Sequence, residues 1–339
     1  MKNSKFLTLL ILSMFWACND GNDDEDPEKE VLPSVDSLVS AIAVDLSNTK
    51  WIGTDVGLYK SVVGGFELQE IPDLEKVTAL YYEETGHILW IGTGTGLLKA
   101  TISGDNITTA SIDPENLSNP NVLTIHVDQN ARRWFGTEKG ISLNDETNWK
   151  KENFRVNTRG DLFAMVLENF QINSIASAEG DFFFATSGAR LYRAFGYDPS
   201  LDAFSGATQW DPPYNGLSVT DTMFVVFIDR EGKKWMGGKE GIQVHTGQDP
   251  KQQDSFTYYY DELPDLYVLA INQAENGEIW VGTRKGIAVF NGTDWETITA
   301  GLPDLSVTSI AFDADGSAWV GTKKGLVNIK SKQLIQVQP

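Results

Sequence analysis

Cysteine, histidine and positive charge are all scarce in this chain. Its 339 residues contain one cysteine, three histidines, and 27 Lys+Arg against 47 Asp+Glu, for a formal charge of −20. A single cysteine excludes an intramolecular disulfide and any Cys-rich metal site. His87, His126 and His245 are far apart and show no His-x-x-x-His spacing, so neither a metal nor a cofactor is expected. The acidic balance excludes the counterion-driven binding of phosphate backbones, and with it nucleic acid as a partner. Beyond the N-terminus no apolar run approaches the roughly 20 residues that cross a bilayer. Aromatic residues, by contrast, are plentiful. Ten Trp, 17 Phe and 10 Tyr are too many for a chain that stays solvated, so a packed core is expected.

The N-terminus reads as an export signal, with Lys2 and Lys5 before a 12-residue apolar run from Phe6 to Ala17. Cys18 follows at once. Residues 1–17 ending at that cysteine resemble the signal peptide of bacterial lipoproteins, with Phe15 where that family prefers Leu. The resemblance implies acylation of Cys18, a lipid anchor in the outer membrane, and a chain facing the periplasm or the cell surface. A soluble secreted protein with an incidental Cys18 is the alternative. Residues 18–35 carry seven acids, with little to bury, and read as a disordered tether. They resemble a surface-export signal as much as a solubilising linker.

Residues 36–339 are repetitive. Trp51–Leu58 reads WIGTDVGL, and the pattern returns at Trp90 (WIGTGTGL), Trp134 (WFGTEKGI), Trp235 (WMGGKEGI), Trp280 (WVGTRKGI) and Trp319 (WVGTKKGL). The double interval in the middle holds a worn seventh copy, Phe183–Leu191 (FFATSGARL). Each copy follows an alternating apolar strand such as Val307–Asp313 and a tight turn such as Asp315-Gly316 or Asn276-Gly277. Two further short strands complete a four-stranded antiparallel unit. Seven such units predict an all-β, seven-bladed β-propeller with no room for a second domain. The repeated Trp is expected to pack between blades. Each terminal blade is expected to own all four of its strands, with no blade shared between the two ends.

The Trp-x-Gly-Thr-x-x-Gly-Leu motif after Val-x-x-Ile-x-x-Asp resembles the two-component-regulator propeller repeat. That family builds periplasmic sensor halves of hybrid histidine kinases, which implies a propeller that binds ligands, carbohydrate fragments among them. No kinase segment accompanies it here.

On this fold the lead-in to each inner strand shares a face with the motif loop, around the mouth of the central channel. The lead-ins place Asn121, Asn173, Asp221, Tyr267 and Asp304 there, a mixture suited to sugar hydroxyls, although Asn, Pro and Asp are also ordinary loop formers. The motif loops add seven cations, Lys139, Arg190, Lys239, Arg284, Lys285, Lys323 and Lys324, against Asp55, Glu138 and Glu240. A basic crescent on an acidic body would attract an anionic glycan or an acidic partner protein. Two longer stretches, 144–170 and 194–218, flank the worn repeat. Their Trp149, Phe204, Trp210 and Tyr214 are expected either as exposed functional loops or as padding for the weakest blade.

Catalysis finds little support. No Gly-x-Ser-x-Gly elbow occurs, and His126, on the third inner strand, is read as structural with a channel-facing role as the alternative. The expected function is recognition, of a glycan or oligosaccharide or of an envelope protein, and the least favoured reading is a polysaccharide or streptogramin-type lyase or hydrolase.

Overall fold

The computed structural model describes residues 35–62, 65–69, 71–146, 148–151, 155–156, 170–187, 191–198, 203–210, 222–247 and 255–335. They form seven antiparallel sheets, one for each repeat. The inner strands are Val39–Val44, Val77–Glu83, Val122–Val127, Ile172–Ala178, Met223–Ile228, Val268–Gln273 and Val307–Phe312. Each packs against the next in that order, and the seventh packs against the first, so the ring closes. Blade one runs Val39–Val44, Lys50–Thr54, Gly57–Val62, Gly65–Gln69, and blade seven ends on its own outer strand Gln333–Ile335. Among the described residues no blade is shared between the ends, as the repeat phase predicts. Val35 instead accepts a backbone hydrogen bond from Leu326 of blade seven at 3.2 Å.

Every inner strand carries a register shift beside its first residue. Such an irregularity re-aims the side chain that follows. In four blades that side chain latches onto the next blade. Ser40 donates to Val77 O at 2.6 Å, Asn173 Nδ2 to Met223 O at 2.6 Å, Thr78 to Val122 O, and Thr308 to Val39 O across the closing seam. The first glycine of the motif is where the next inner strand comes closest. A Cβ on Gly53 would sit 2.5 Å from Val77, and one on Gly321 2.5 Å from Val39. The worn blade has Ala185 at that position, and there the next strand begins with Met223 in place of Val.

The repeated aromatic packs between blades, as expected, and Trp51 and Trp134 are wholly buried. Its indole N–H needs an acceptor there, because an unpaired buried donor costs about 1–3 kcal/mol. Five blades supply one from the end of the inner strand, two residues beyond the aromatic's cross-strand partner. Trp51 donates to Asp45 (3.0 Å), Trp90 to Glu83 (2.9 Å), Trp134 to Asp128 (2.9 Å), Trp235 to Asp229 (2.8 Å) and Trp319 to Asp313 (2.8 Å). Two of these acids also bind a cation from the following blade: Asp313 takes Lys50 at 3.1 Å and Glu83 takes Arg133. Although burial pushes the Glu83 carboxyl up, Arg133 and the Trp90 indole hold it below the usual range. Blades four and six have alanine at this position, Ala178 and Ala274.

The stretches around the worn repeat pad it. Leu191–Asp198 and Ala203–Trp210 are its long third and fourth strands, and Arg155–Val156 adds a parallel fifth. Phe204 is therefore no exposed loop aromatic. It is fully buried against Trp134, Phe182 and Phe184, because a strand twice the usual length covers the seam where the motif has degenerated. Tyr214 lies outside the described residues.

Candidate functional site on the loop face

Backbone hydrogen bonds bring lead-ins and motif loops together. Within a blade, Glu138 N donates to Asn121 O, Arg284 N to Tyr267 O and Lys323 N to Ser306 O. Between blades, Gly140 N donates to Phe170 O and Gly241 N to Leu266 O. In five blades the motif threonine closes its loop from within, as where Thr137 Oγ1 donates to Gly140 O at 2.9 Å.

On this platform the expected residues divide into groups. Lys285 pairs with Asp265 at 3.0 Å, and Lys324 approaches Asp304 at 3.8 Å. Asp265 and Asp304 occupy the same position of two Leu-Pro-Asp-Leu lead-ins. The basic crescent is thus partly neutralised in blades six and seven by acids that a count of motif-loop charges omits. Lys285 and Arg284 in turn hold the Asp265 carboxyl below the usual range, together with the Tyr267 backbone N–H and against its own burial. Lys139 and Lys323 are exposed and Lys239 is half-buried. Asn121 faces Glu138 across its own loop, with Nδ2 3.5 Å from Oε2. Asn173 is a blade-to-blade latch, held also by Ser187 at 3.0 Å, so its amide is already committed. Cys18, Arg190 and Asp221 lie outside the described residues.

Tyr267 is the centre of the most developed feature. Its half-buried ring lies under the Arg284 guanidinium, 3.6 Å from the ring centroid, and stacks on Phe224 of blade five at 6.2 Å. Charge and quadrupole attract in such a pair. Across the Lys239–Gly241 turn, Phe256, Tyr258 and Tyr260 stack along the outer strand of blade five at 6.2 and 6.1 Å. Burial, with Tyr258 and Glu240 adding to it, pushes the Tyr260 phenol up to about 12. This ladder was missed in the sequence, although the 256, 258, 260 alternation of one strand face would have found it.

His126 is engaged at the seam between blades three and four. It lies opposite Trp134 on its strand and turns toward the next blade, where Nε2 meets Ser177 Oγ at 2.7 Å. Burial drives its pKa down to about 4, with Asp128 opposing, so the ring is neutral. Among the described residues no three His, Cys, Asp or Glu side chains converge as a metal site would require, and no helix is long and apolar enough to cross a membrane.

A family model described as two component regulator propeller matches residues 262–285 and 301–324, within blades six and seven. Blades six and seven of this β-propeller therefore carry two-component-regulator propeller repeats. The extracellular domain of a hybrid two component system from B. thetaiotaomicron is similar in structure, with a TM-score of 0.68 and 21% identity. That match covers 86% of this chain and 39% of the other, so this chain spans about two fifths of its relative. A catalytically inactive virginiamycin B lyase from Staphylococcus aureus with quinupristin has a TM-score of 0.64 and 14% identity, covering 86% and 94%. YCF48 bound to D1 peptide has a TM-score of 0.59 and 15% identity, covering 88% and 94%. These likenesses are of fold. No curated protein sequence matches the chain.

Proposed function

We propose that this protein is an exported, lipid-anchored recognition propeller that captures an anionic oligosaccharide on its loop face without transforming it. Residues 1–17 would be removed, Cys18 would carry the anchor, and residues 18–35 would hold the propeller off the membrane. The observation that carries the binding reading is the Phe224–Tyr267–Arg284 stack. The Arg284 guanidinium, held flat on the Tyr267 ring, suits a uronate carboxylate. The Tyr258–Tyr260 ladder would extend the track to neighbouring sugars. Recognition is favoured over catalysis because His126, the strand histidine nearest the channel in sequence, is buried, neutral and already bonded to Ser177.

Titration with uronic-acid oligosaccharides and their neutral counterparts tests this reading. Binding should be confined to the acidic set and should weaken with salt. Tyr267→Ala and Arg284→Ala should each lower affinity about tenfold or more, roughly the worth of one good contact. Equal binding of neutral oligosaccharides, salt-independent binding, or unchanged affinity in both variants would refute it.

A further inference from the structure

Blade six keeps its indole donor but lacks the acid that should meet it. Trp280 is 4% exposed, and its Nε1 has no acceptor at hydrogen-bond distance among the described residues. The reason is visible in the strand: Ala274 stands where five other blades place Asp or Glu. Glu278 comes near enough for the indole to help lower its pKa, but closes no hydrogen bond with it.

Beside Ala274 a cavity of about 540 Å³ opens between blades six and seven, within the usual range for small-molecule sites. Ala274, Phe312 and Ile329 are its apolar walls, Trp280 its floor, and Glu278 and Lys332 its rim. Phe312 meets Trp280 edge to face at 5.6 Å. The cavity opens beside the 275–277 and 331–332 turns, on the face opposite the motif loops, so it is independent of the loop-face reading. Ser331 and Lys332 hold that second turn with φ of 51° and 61°, conformations that side chains other than glycine rarely adopt.

We infer that this notch is a second binding site, for a neutral hydroxylated ring such as a single hexose unit. The choice follows from the polar groups. The indole offers a donor and needs an acceptor. The Glu278 carboxylate, held ionised by Lys332 and Asn276 against its burial, offers an acceptor. A hydroxyl does both at once, accepting from Trp280 and donating to Glu278, whereas a carboxylate ligand would meet Glu278 as a like charge. The one rim cation cannot compensate, because Lys332 is already shared between Glu278 at 2.9 Å and Glu296 at 2.8 Å. Phe312, Ile329 and Ala274 would receive the ring's C–H faces.

Fluorine NMR of the full chain labelled with 5-fluorotryptophan tests the site, the Trp280 resonance being assigned by its loss in Trp280→Phe. Methyl glycosides of glucose, galactose and mannose at millimolar concentration should shift that resonance saturably, and sodium acetate should not. Ala274→Asp supplies the missing acceptor in cis. It should raise Tm by a few degrees, shift the Trp280 resonance without any probe and abolish the response to glycosides. Should that variant misfold, Trp280→Phe followed by calorimetry with the same glycosides should show affinity lowered about tenfold. No saturable shift from any glycoside, a response that persists in Ala274→Asp, or a shift from acetate alone would each overturn the inference. Neither variant touches Tyr267, so loss of loop-face binding and loss of notch binding are read separately.

Discussion

Blades four and six have lost the same carboxylate, with opposite results. In blade four Ala178 accompanies Phe183, so the donor disappeared together with its acceptor. At the seam that Ala178 faces, blade five places Lys234 where Lys50 and Arg133 stand in their own blades. In blade six Ala274 accompanies an intact Trp280, whose indole is left without an acceptor beside a cavity of about 540 Å³. A repeat can therefore degenerate in a balanced way, which leaves structure, or in an unbalanced way, which leaves a site. The chemistry of the residual group separates the two.

The sharpest way to break the comparison is to create an unbalanced blade. Asp229 accepts from the Trp235 indole and from the backbone of Glu231 and Lys233. Asp229→Ala should cost about 4 kcal/mol, since it strands the buried Trp235 donor and frees two partly buried backbone donors of the turn. Equilibrium denaturation measures it, and a loss below a quarter of that value would show that the acid is not what holds the indole.

A smaller effect is expected at the blade three–four seam. The fold accepts only neutral His126, with a pKa of about 4, whereas the unfolded chain takes up the proton below about 6.5. Stability is therefore unaffected above that pH and is lost between about 6.5 and 4, by about 3 kcal/mol. His126→Gln should remove that part of the acid sensitivity when denaturation at pH 7 and pH 4.5 is compared. An unchanged difference between the two pH values would contradict the assignment.

Restoring the acid in blade four should help only modestly. Lys234 occupies the position from which Lys50 and Arg133 reach the preceding blade's acid, but the preceding blade offers Ala178. Its Nζ instead donates to Gly247 O at 3.3 Å, and burial, with Arg193 nearby, lowers its pKa. Ala178→Asp should stabilise by about 1 kcal/mol through a new pair with Lys234, checked by thermal melts at low and high salt. A destabilised variant would mean that the seam has no room for the carboxylate. Smallest of all, Lys285→Ala removes an exposed partner of Asp265 and should cost less than about 0.5 kcal/mol. A larger shift in the denaturation midpoint would make the rim structural.

The architecture was legible because it rests on local, repeated needs: a Trp to fill each seam, a glycine to admit the next valine, a threonine to close most loops. Seven copies of those needs identify the ring, including the copy where Phe183 and Ala185 replace two of them. The site was legible only in part, for physical reasons. Lys285 and Lys324 looked like free cations because their partners, Asp265 and Asp304, belong to a different stretch of chain that folding lays beside them. Asn173 looked like a channel-mouth amide because nothing in a strand sequence reveals a bulge. The substitutions at Ala178 and Ala274 were visible as departures from Val-x-x-Ile-x-x-Asp, but their meaning depended on the indole six residues onward, which one blade has and the other lacks.

The closing seam has a further consequence. Thr308 crosses it to Val39 as Thr78 crosses to Val122, and Lys50 reaches Asp313 as Arg133 reaches Glu83. Among the described residues no strand crosses it, and its hydrogen bond and ion pair are of kinds found at other seams. A circularly permuted gene, joined at that seam and cut between 299 and 307, would divide no sheet and would transfer the break to another seam of the same kind.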